Sequence, residues 1–223
     1  MAAPVTSDGT VASQRIAAHL RDDILTGVLQ PGERIRQEDI AARAGSSRLP
    51  VREALRILHS QGLVQLKANS GAWVSTLDLA ECQAIYKMRE RLEPLALSES
   101  MPHLDEDTLQ RIDDLQTEIE HNTDQDRFLA LDREMHLLCY VGSPNAELNR
   151  MVERFWNTTQ AYRRAFVRMS GPERMWVVIA EHQLLIDAIR RRDSDDGERF
   201  LVAHIRRTRE SLAHHPEVFD ARQ

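Results

Sequence analysis

One short segment combines arginines with an apolar stripe and constrains this chain more than any other part of it. The segment SSRLPVREALRILHSQGLV spans residues 46–64. Val51, Leu55 and Leu58 stand at helical spacing and share one face, and Pro50 is tolerated only in a first turn. A second face carries three arginines, Arg48, Arg52 and Arg56. A helix with an arginine-bearing front and an apolar back fits the major groove of DNA.

The flanking segments extend this helix into a winged helix-turn-helix. Residues 38–45, EDIAARAG, predict an amphipathic helix, and a four-residue turn over 45–48 joins it to the arginine helix. Two β-prone runs surround residues 69–71, Asn-Ser-Gly, which is typical of a hairpin. An earlier helix is predicted from Ser13, as its N-cap, to Thr26. The predicted DNA-binding residues are Arg36, Ser47, Arg48, Arg52, Lys67, Asn69 and Gly71.

Length and charge predict two domains, over residues 1–76 and 77–223. The first part carries nine Lys and Arg against seven Asp and Glu, and the second carries 20 against 28. The mild basicity of the first part means that DNA affinity depends on a few placed arginines. No apolar run reaches the length of a membrane span, and two distant cysteines are typical of a reduced cytoplasm.

The second part has helical periodicity throughout and predicts an antiparallel six-helix bundle. Start signals include Asp78, Asp105, Asp124, Ser143-Pro144, Gly171-Pro172 and Ser194. The predicted helices cover residues 78–101, 105–122, 125–142, 144–169, 172–192 and 195–214. The fold class is therefore mainly α, with an N-terminal winged helix-turn-helix and a C-terminal bundle.

Titratable groups on the apolar faces of this bundle are the candidates for a binding site. Asp132 and His136 stand one turn apart, while His182 and His204 lie on the core faces of later helices. Such groups are costly to bury unless they are paired. A divalent metal would satisfy all four, and the donor set suits zinc, nickel, cobalt, manganese or iron. Histidines that pack in the core through hydrogen bonds are the alternative.

The run from Ile24 to Val64 resembles the N-terminal domain of GntR-type bacterial repressors. Ser46 and Leu49 depart from that family, which usually has valine and threonine at these positions. The shared positions are Gly27, Leu29, Pro31, Gly32, Ser47, Arg48, Pro50, Val51, Arg52, Glu53, Ala54 and Leu55.

The C-terminal half, about 145 residues, resembles the FCD effector-binding domain of the FadR/VanR branch of that family. The segments that carry this resemblance are YKMRERLEPLAL, LDREMHLL, SPNAELNRMVERFW, EHQLLIDAIRRRD and AHIRRTRESL. Many members bind a metal through an Asp-x-x-x-His pair and two later histidines. The resemblance therefore implies that Asp132, His136, His182 and His204 are metal ligands, with zinc as the first choice of ion. Six helices indicate the VanR type.

Together these features predict a metabolite-responsive transcription regulator, and the resemblance implies a repressor, which is the commoner behaviour in that family. A small carboxylate effector would bind the metal and Arg89, which lies on an apolar face of the first bundle helix. A homodimer would read a pseudo-palindromic site in double-stranded DNA in the cytoplasm, without membrane contact. The alternatives are a metal-responsive sensor, a metal-dependent hydrolase and an architectural DNA-binding protein.

Overall fold

The structure is a computed structural model that describes residues 7–68, 71–170 and 175–219. The chain divides into two compact units between Thr76 and Leu77. Among the described residues no helix is both long and apolar enough to cross a bilayer. The unit up to Thr76 is the N-terminal unit, and the one from Leu77 onward is the helical unit.

The N-terminal unit is a winged helix-turn-helix, which confirms that part of the predicted fold class. Its strands form an antiparallel sheet in the order β1-β3-β2, so the first strand joins the hairpin of the wing. In chain order its elements are α1 (Ser7–Thr26), β1 (Arg34–Ile35), α2 (Gln37–Arg43), α3 (Arg48–Ser60), β2 (Val64–Lys67) and β3 (Gly71–Val74).

The apolar back of α3 forms the centre of this unit. Val51, Ala54, Leu55 and Leu58 are fully buried there, and α1 contributes Leu20 to the same core. Burial of a large aliphatic side chain stabilises a fold by roughly 1.5–3 kcal/mol. The packing therefore fixes which side of α3 remains outside, and that side is the arginine face.

The predicted start of α1 at Ser13 is wrong, because the helix begins at Ser7 and runs through this position. Ser13 is buried, and its hydroxyl donates a 2.9 Å hydrogen bond to the Thr10 carbonyl one turn earlier. A serine whose hydroxyl bonds back to the preceding turn is satisfied inside a helix and is not needed as a cap.

The helical unit contains the six α-helices that the sequence predicts, within its described residues. Their caps explain several of the boundaries. Asp78 forms a capping box with Glu81, and Asp105 and Asp124 accept from backbone amides at the starts of their helices. The helices are α4 (Leu79–Ser100), α5 (Glu106–His121), α6 (Gln125–Leu138), α7 (Ala146–Ser170), α8 (Met175–Arg190) and α9 (Ser194–Ala213).

Several boundaries in the helical unit differ from the prediction. The helix predicted to reach residue 142 ends at Leu138, and the next begins at Ala146, where the Asn145 side chain accepts from the Leu148 amide. Asp193 rather than Ser194 caps α9, because its carboxylate accepts from the Asp196 amide. The predicted start of α8 at Gly171-Pro172 lies outside the described residues.

Candidate functional site

The exposed face of α3 carries the arginines that the sequence selects for DNA binding. Arg48 begins the helix with its side chain 71% exposed, and it lies 3.3 Å from a carboxylate oxygen of Glu38 on α2. Arg52, one turn later, is also exposed. Leu49 between them is an exposed apolar side chain. The structure thus brings two guanidinium groups to the outer side of α3.

Two further predicted DNA-binding residues occupy the starts of helices. Arg36 is exposed at the N-cap position of α2, and Ser47 is exposed at the N-cap position of α3. Within the described part of the chain, the Ser47 side chain makes no capping hydrogen bond. Both residues therefore lie at the solvent-facing ends of the two helices of the motif.

The hairpin of the wing holds the remaining predicted DNA-binding residues. Lys67 ends β2 opposite Gly71, and its Nζ lies 5.0 Å from the ring centroid of Trp73. Arg34 on β1 lies over the same indole at 5.6 Å. Gly71 has φ +108°, a conformation that L side chains rarely adopt. Asn69 lies outside the described residues.

The four predicted metal ligands come together in the helical unit. Each of Asp132, His136, His182 and His204 offers one ligand atom within 4.8 Å of the others. Asp132 Oδ1 lies 3.9 Å from His136 Nε2 and 3.6 Å from His182 Nε2. The three imidazole centroids are 5.0–5.1 Å apart. The sequence places these residues on α6, α8 and α9, and the packing of those helices makes one cluster of them.

The atoms that face each other in this cluster lack hydrogen-bond partners. Among residues 7–68, 71–170 and 175–219, Asp132 Oδ1, both ring nitrogens of His136 and His182 Nε2 have none. All three side chains are buried, and an unsatisfied buried polar atom costs roughly 1–3 kcal/mol. A divalent cation that accepted lone pairs from Asp132 Oδ1, His182 Nε2 and one ring nitrogen of His136 would satisfy three of these four atoms, so the donor set fits a metal.

Outer partners hold two of the imidazoles in the tautomer that a metal requires. His182 Nδ1–H donates to Gln116 Oε1 at 3.0 Å, and His204 Nδ1–H donates to Glu181 Oε2 at 2.9 Å. Each bond leaves Nε2 with its lone pair toward the cluster. Protein metal sites commonly orient their histidines in this way.

Burial keeps His136 and His182 neutral, while neighbouring positive charge keeps the Asp132 carboxylate ionised. Burial lowers the pKa of His182 to about 3, helped by the charge of His204, and it lowers the pKa of His136 well below its ordinary value. Burial raises the pKa of the Asp132 carboxyl, but the neighbouring Arg163 and histidines outweigh it and hold that pKa below its usual range. These are the protonation states that metal binding needs.

Arg89, the predicted effector anchor, is buried in an ion pair on α4. Its guanidinium contacts the Glu93 carboxylate, donates to Thr159 Oγ1 at 3.2 Å and lies 4.3 Å from the Trp156 ring centroid. Glu93 also accepts from the Tyr140 hydroxyl at 2.9 Å. The contact between Arg89 and Glu93 is therefore part of the interior of the unit.

Sequence reasoning missed a second buried arginine beside the cluster. Arg163 on α7 donates to Asp132 Oδ2, and its Cζ lies 4.6 Å from the Trp156 ring centroid. Trp156 in turn lies 5.3 Å from the His136 ring. The spacing contains a signal, since Trp156, Thr159 and Arg163 recur at helical intervals on one face of α7. An arginine on this buried face of α7 is unexpected for the same reason as Arg89 on the apolar face of α4.

A small apolar cleft lies next to the cluster. Glu181, His204 and Arg207 contribute its polar rim, and Glu181 pairs with Arg207 as well as with His204. The apolar walls are formed by Phe128, Phe166, Val167, Met175, Val177 and Val178. His204 is the one cluster residue that is not fully buried, and it lines this cleft.

Comparison with known protein families yields two matches that follow the two units. Residues 84–207 match the family model described as the FCD domain. Residues 12–74 match the model described as bacterial regulatory proteins, gntR family. The FCD match covers more than half of the chain, and it contains all four residues of the cluster.

Similar proteins align with most of this chain. The HTH-type transcriptional regulator YdhC of Bacillus subtilis is 26% identical, over 87% of this chain and 88% of its own length. The HTH-type transcriptional repressor RspR of Escherichia coli is 26% identical, over 90% of this chain and 88% of its own length. The solved structure of E. coli McbR/YncC has a TM-score of 0.77 at 22% identity, covering 92% of this chain and 98% of that one, and it shows the same fold.

Proposed function

This chain belongs to the GntR-type bacterial transcription regulators that carry an FCD domain, and from that premise we propose that its helical unit binds a divalent metal ion and a small organic acid. DNA binding through the winged unit is the shared property of this class, and its members are regulators rather than enzymes. The relatives therefore do not support a metal-dependent hydrolase.

The observation that supports a metal is the group of unsatisfied, buried donor atoms on Asp132, His136 and His182, completed by His204. Three imidazoles and one carboxylate suit zinc first, with nickel, manganese and iron as alternatives. An ion that takes more than four ligands would keep positions for water or for a carboxylate. When bound, such an ion supplies a positive charge that attracts an anionic effector.

The second part of the proposal is that Arg89 helps to hold the acid. Its guanidinium lies over Trp156, which also contacts His136 of the cluster. The charge of Glu93 opposes this role, because it already neutralises Arg89. An effector carboxylate would have to share the guanidinium with Glu93, which leaves Arg89 as an auxiliary anchor beside the metal.

The proposal includes the assembly that binds DNA. The protein acts in the cytoplasm as a homodimer, binds a pseudo-palindromic operator and represses transcription. A dimer with two-fold symmetry matches a DNA site with two-fold symmetry, and the arginine face of α3 is the surface that enters the major groove. The name of the E. coli relative, a transcriptional repressor, supports the direction of regulation. Acid binding would change operator affinity through a coupling of about 1–3 kcal/mol.

The test measures metal content and operator affinity on the same preparations. We expect the wild type to retain close to one ion per chain, and His182→Ala or His204→Ala to lose it. His121→Ala is the matched control, since His121 is exposed and its ring bonds to the carbonyl of Thr117 in its own helix. Wild-type metal content equal to that of His182→Ala would refute the metal site.

A metal sensor is the second candidate, because the four ligands form a complete set without any acid. Operator affinity is therefore titrated with zinc alone and with zinc plus a panel of small carboxylates. A response to zinc alone identifies the sensor, while a response that requires an acid identifies the metabolite-responsive regulator. A response that survives full chelation removes the metal from the mechanism.

A further inference from the structure

Two buried hydrogen-bond donors in the interior of the helical unit lack acceptors. Tyr86 on α4 is 1% exposed and Arg163 on α7 is 8% exposed. Within the described ranges 7–68, 71–170 and 175–219, neither the Tyr86 hydroxyl nor Arg163 Nη1 has a hydrogen-bond partner. Since buried donors are nearly always satisfied in folded proteins, two of them in one neighbourhood indicate a missing acceptor.

The two donors belong to one neighbourhood. The Arg89 guanidinium lies 4.9 Å from the Tyr86 ring and 4.3 Å from the Trp156 ring, and Arg163 lies 4.6 Å from the same indole. Burial raises the pKa of Tyr86 to about 12, and the charges of Arg89 and Arg163 oppose that rise. The hydroxyl thus remains protonated and able to donate within the electrostatic reach of both guanidinium groups.

The charges of this interior call for a dianion once a metal is present. Arg89 is balanced by Glu93 and Arg163 by Asp132, so the four groups together are neutral. A divalent ion on the cluster, with imidazoles neutral as coordination requires, adds two positive charges. Uncompensated buried charge is costly, and two negative charges on the ligand would cancel it.

From these observations, and resting on the proposed metal and acid site, we infer that the effector is a short dicarboxylate. One carboxylate binds at the metal, and the second accepts hydrogen bonds from the Tyr86 hydroxyl and Arg163 Nη1. Arg163 fits this role better than Arg89, because one of its nitrogens is unused whereas Arg89 is shared between Glu93 and Thr159. Arg163 also contacts Asp132 directly, so the spacer between the carboxylates must be short.

The experiment is calorimetric titration of the zinc-loaded full-length protein with matched pairs of acids. Malonate, succinate and glutarate are compared with acetate, propionate and butyrate. We expect at least one dicarboxylate to bind roughly tenfold or more tightly than any monocarboxylate, as hydrogen bonds to a charged group contribute that much. Equal affinities for both classes would overturn the inference and leave the proposed acid site standing. Failure of every acid to bind would overturn both.

Three variants locate the second carboxylate. Tyr86→Phe removes only the hydroxyl, so it should lower dicarboxylate affinity about tenfold while zinc content and monocarboxylate affinity stay unchanged. Arg163→Met should abolish the preference for dicarboxylates. The control is Arg164→Met, a neighbouring arginine of equal exposure that pairs with Asp126. If Tyr86→Phe behaves as the wild type, or Arg164→Met shows the same loss, the second site is wrongly placed.

Discussion

Replacement of Glu93 by glutamine tests how strongly the interior of the helical unit depends on one carboxylate. Glu93 is fully buried and accepts from Arg89, the Tyr140 hydroxyl at 2.9 Å and Trp156 Nε1 at 3.2 Å. Glutamine keeps the volume but removes the charge, and its amide group presents N–H to neighbours that are themselves donors. The side chain of Arg89, 3% exposed, then carries an uncompensated charge.

Removal of one partner from a buried ion pair costs about 3–5 kcal/mol. Glu90 on the same helix supplies the control, because it is 4% exposed but faces arginines that reach solvent. The side chain of its partner Arg209 is 19% exposed and that of Arg206 is 51% exposed, so water can hydrate the charges that Glu90→Gln leaves behind. We expect Glu90→Gln to cost about 1 kcal/mol.

Urea and thermal unfolding of the metal-free protein, followed by circular dichroism, measure the difference between these variants. A difference of about 3 kcal/mol in the free energy of unfolding between the two variants corresponds to a melting temperature lower by roughly 10 °C for a unit of this size. Chelator is present throughout, so that changes in metal affinity do not enter the comparison. Equal destabilisation by Glu93→Gln and Glu90→Gln would refute the idea that full burial, rather than ion pairing as such, sets the cost.

Other expectations concern DNA, protons and the effector. Arg52→Ala should cost roughly 1–3 kcal/mol of operator affinity and relax base preference, measured by anisotropy on operator variants. Lys67→Ala should weaken binding to all DNA sequences alike, and it should lower the slope of log affinity against log salt concentration by about one. His136 and His182 have lowered pKa values in the folded state, so the unfolded chain takes up protons first below pH ~6.5. Stability of the metal-free protein should therefore fall as pH drops from ~6.5 toward 3, and a flat profile would contradict this. Arg89→Ala should keep its metal but weaken the response to acids, and an unchanged response would remove Arg89 from the site.

The sequence predicts the N-terminal unit well because its signals are local. The apolar stripe of α3, the turn before it and the hairpin around Gly71 each follow from spacing within about ten residues. The start of α1 was misplaced because Ser13 has the side chain of a good cap, and only the structure shows that it bonds to Thr10 instead. A residue's capping ability does not tell whether the helix needs a cap there.

The cluster in the helical unit is a different case, since it depends on contacts between distant helices. Periodicity identifies polar residues on core faces, and resemblance to the family implies that Asp132 and the three histidines belong together. Neither shows which partner each charged group takes. The pairing of Arg163 with Asp132 joins residues 31 positions apart, and that of Arg89 with Thr159 joins residues 70 apart. Such pairings follow from helix packing, which a single sequence does not encode locally.

The indole of Trp156 is where these separate contacts meet, and this has a consequence for how the protein can diverge. It touches Arg89, Arg163 and His136 and donates its N–H to Glu93. Residues that share one partner have substitution effects that do not add. A lineage that replaces this tryptophan must therefore substitute several neighbouring residues as well. Divergence in this interior then proceeds by groups of substitutions, and each group changes which ligands the unit can bind.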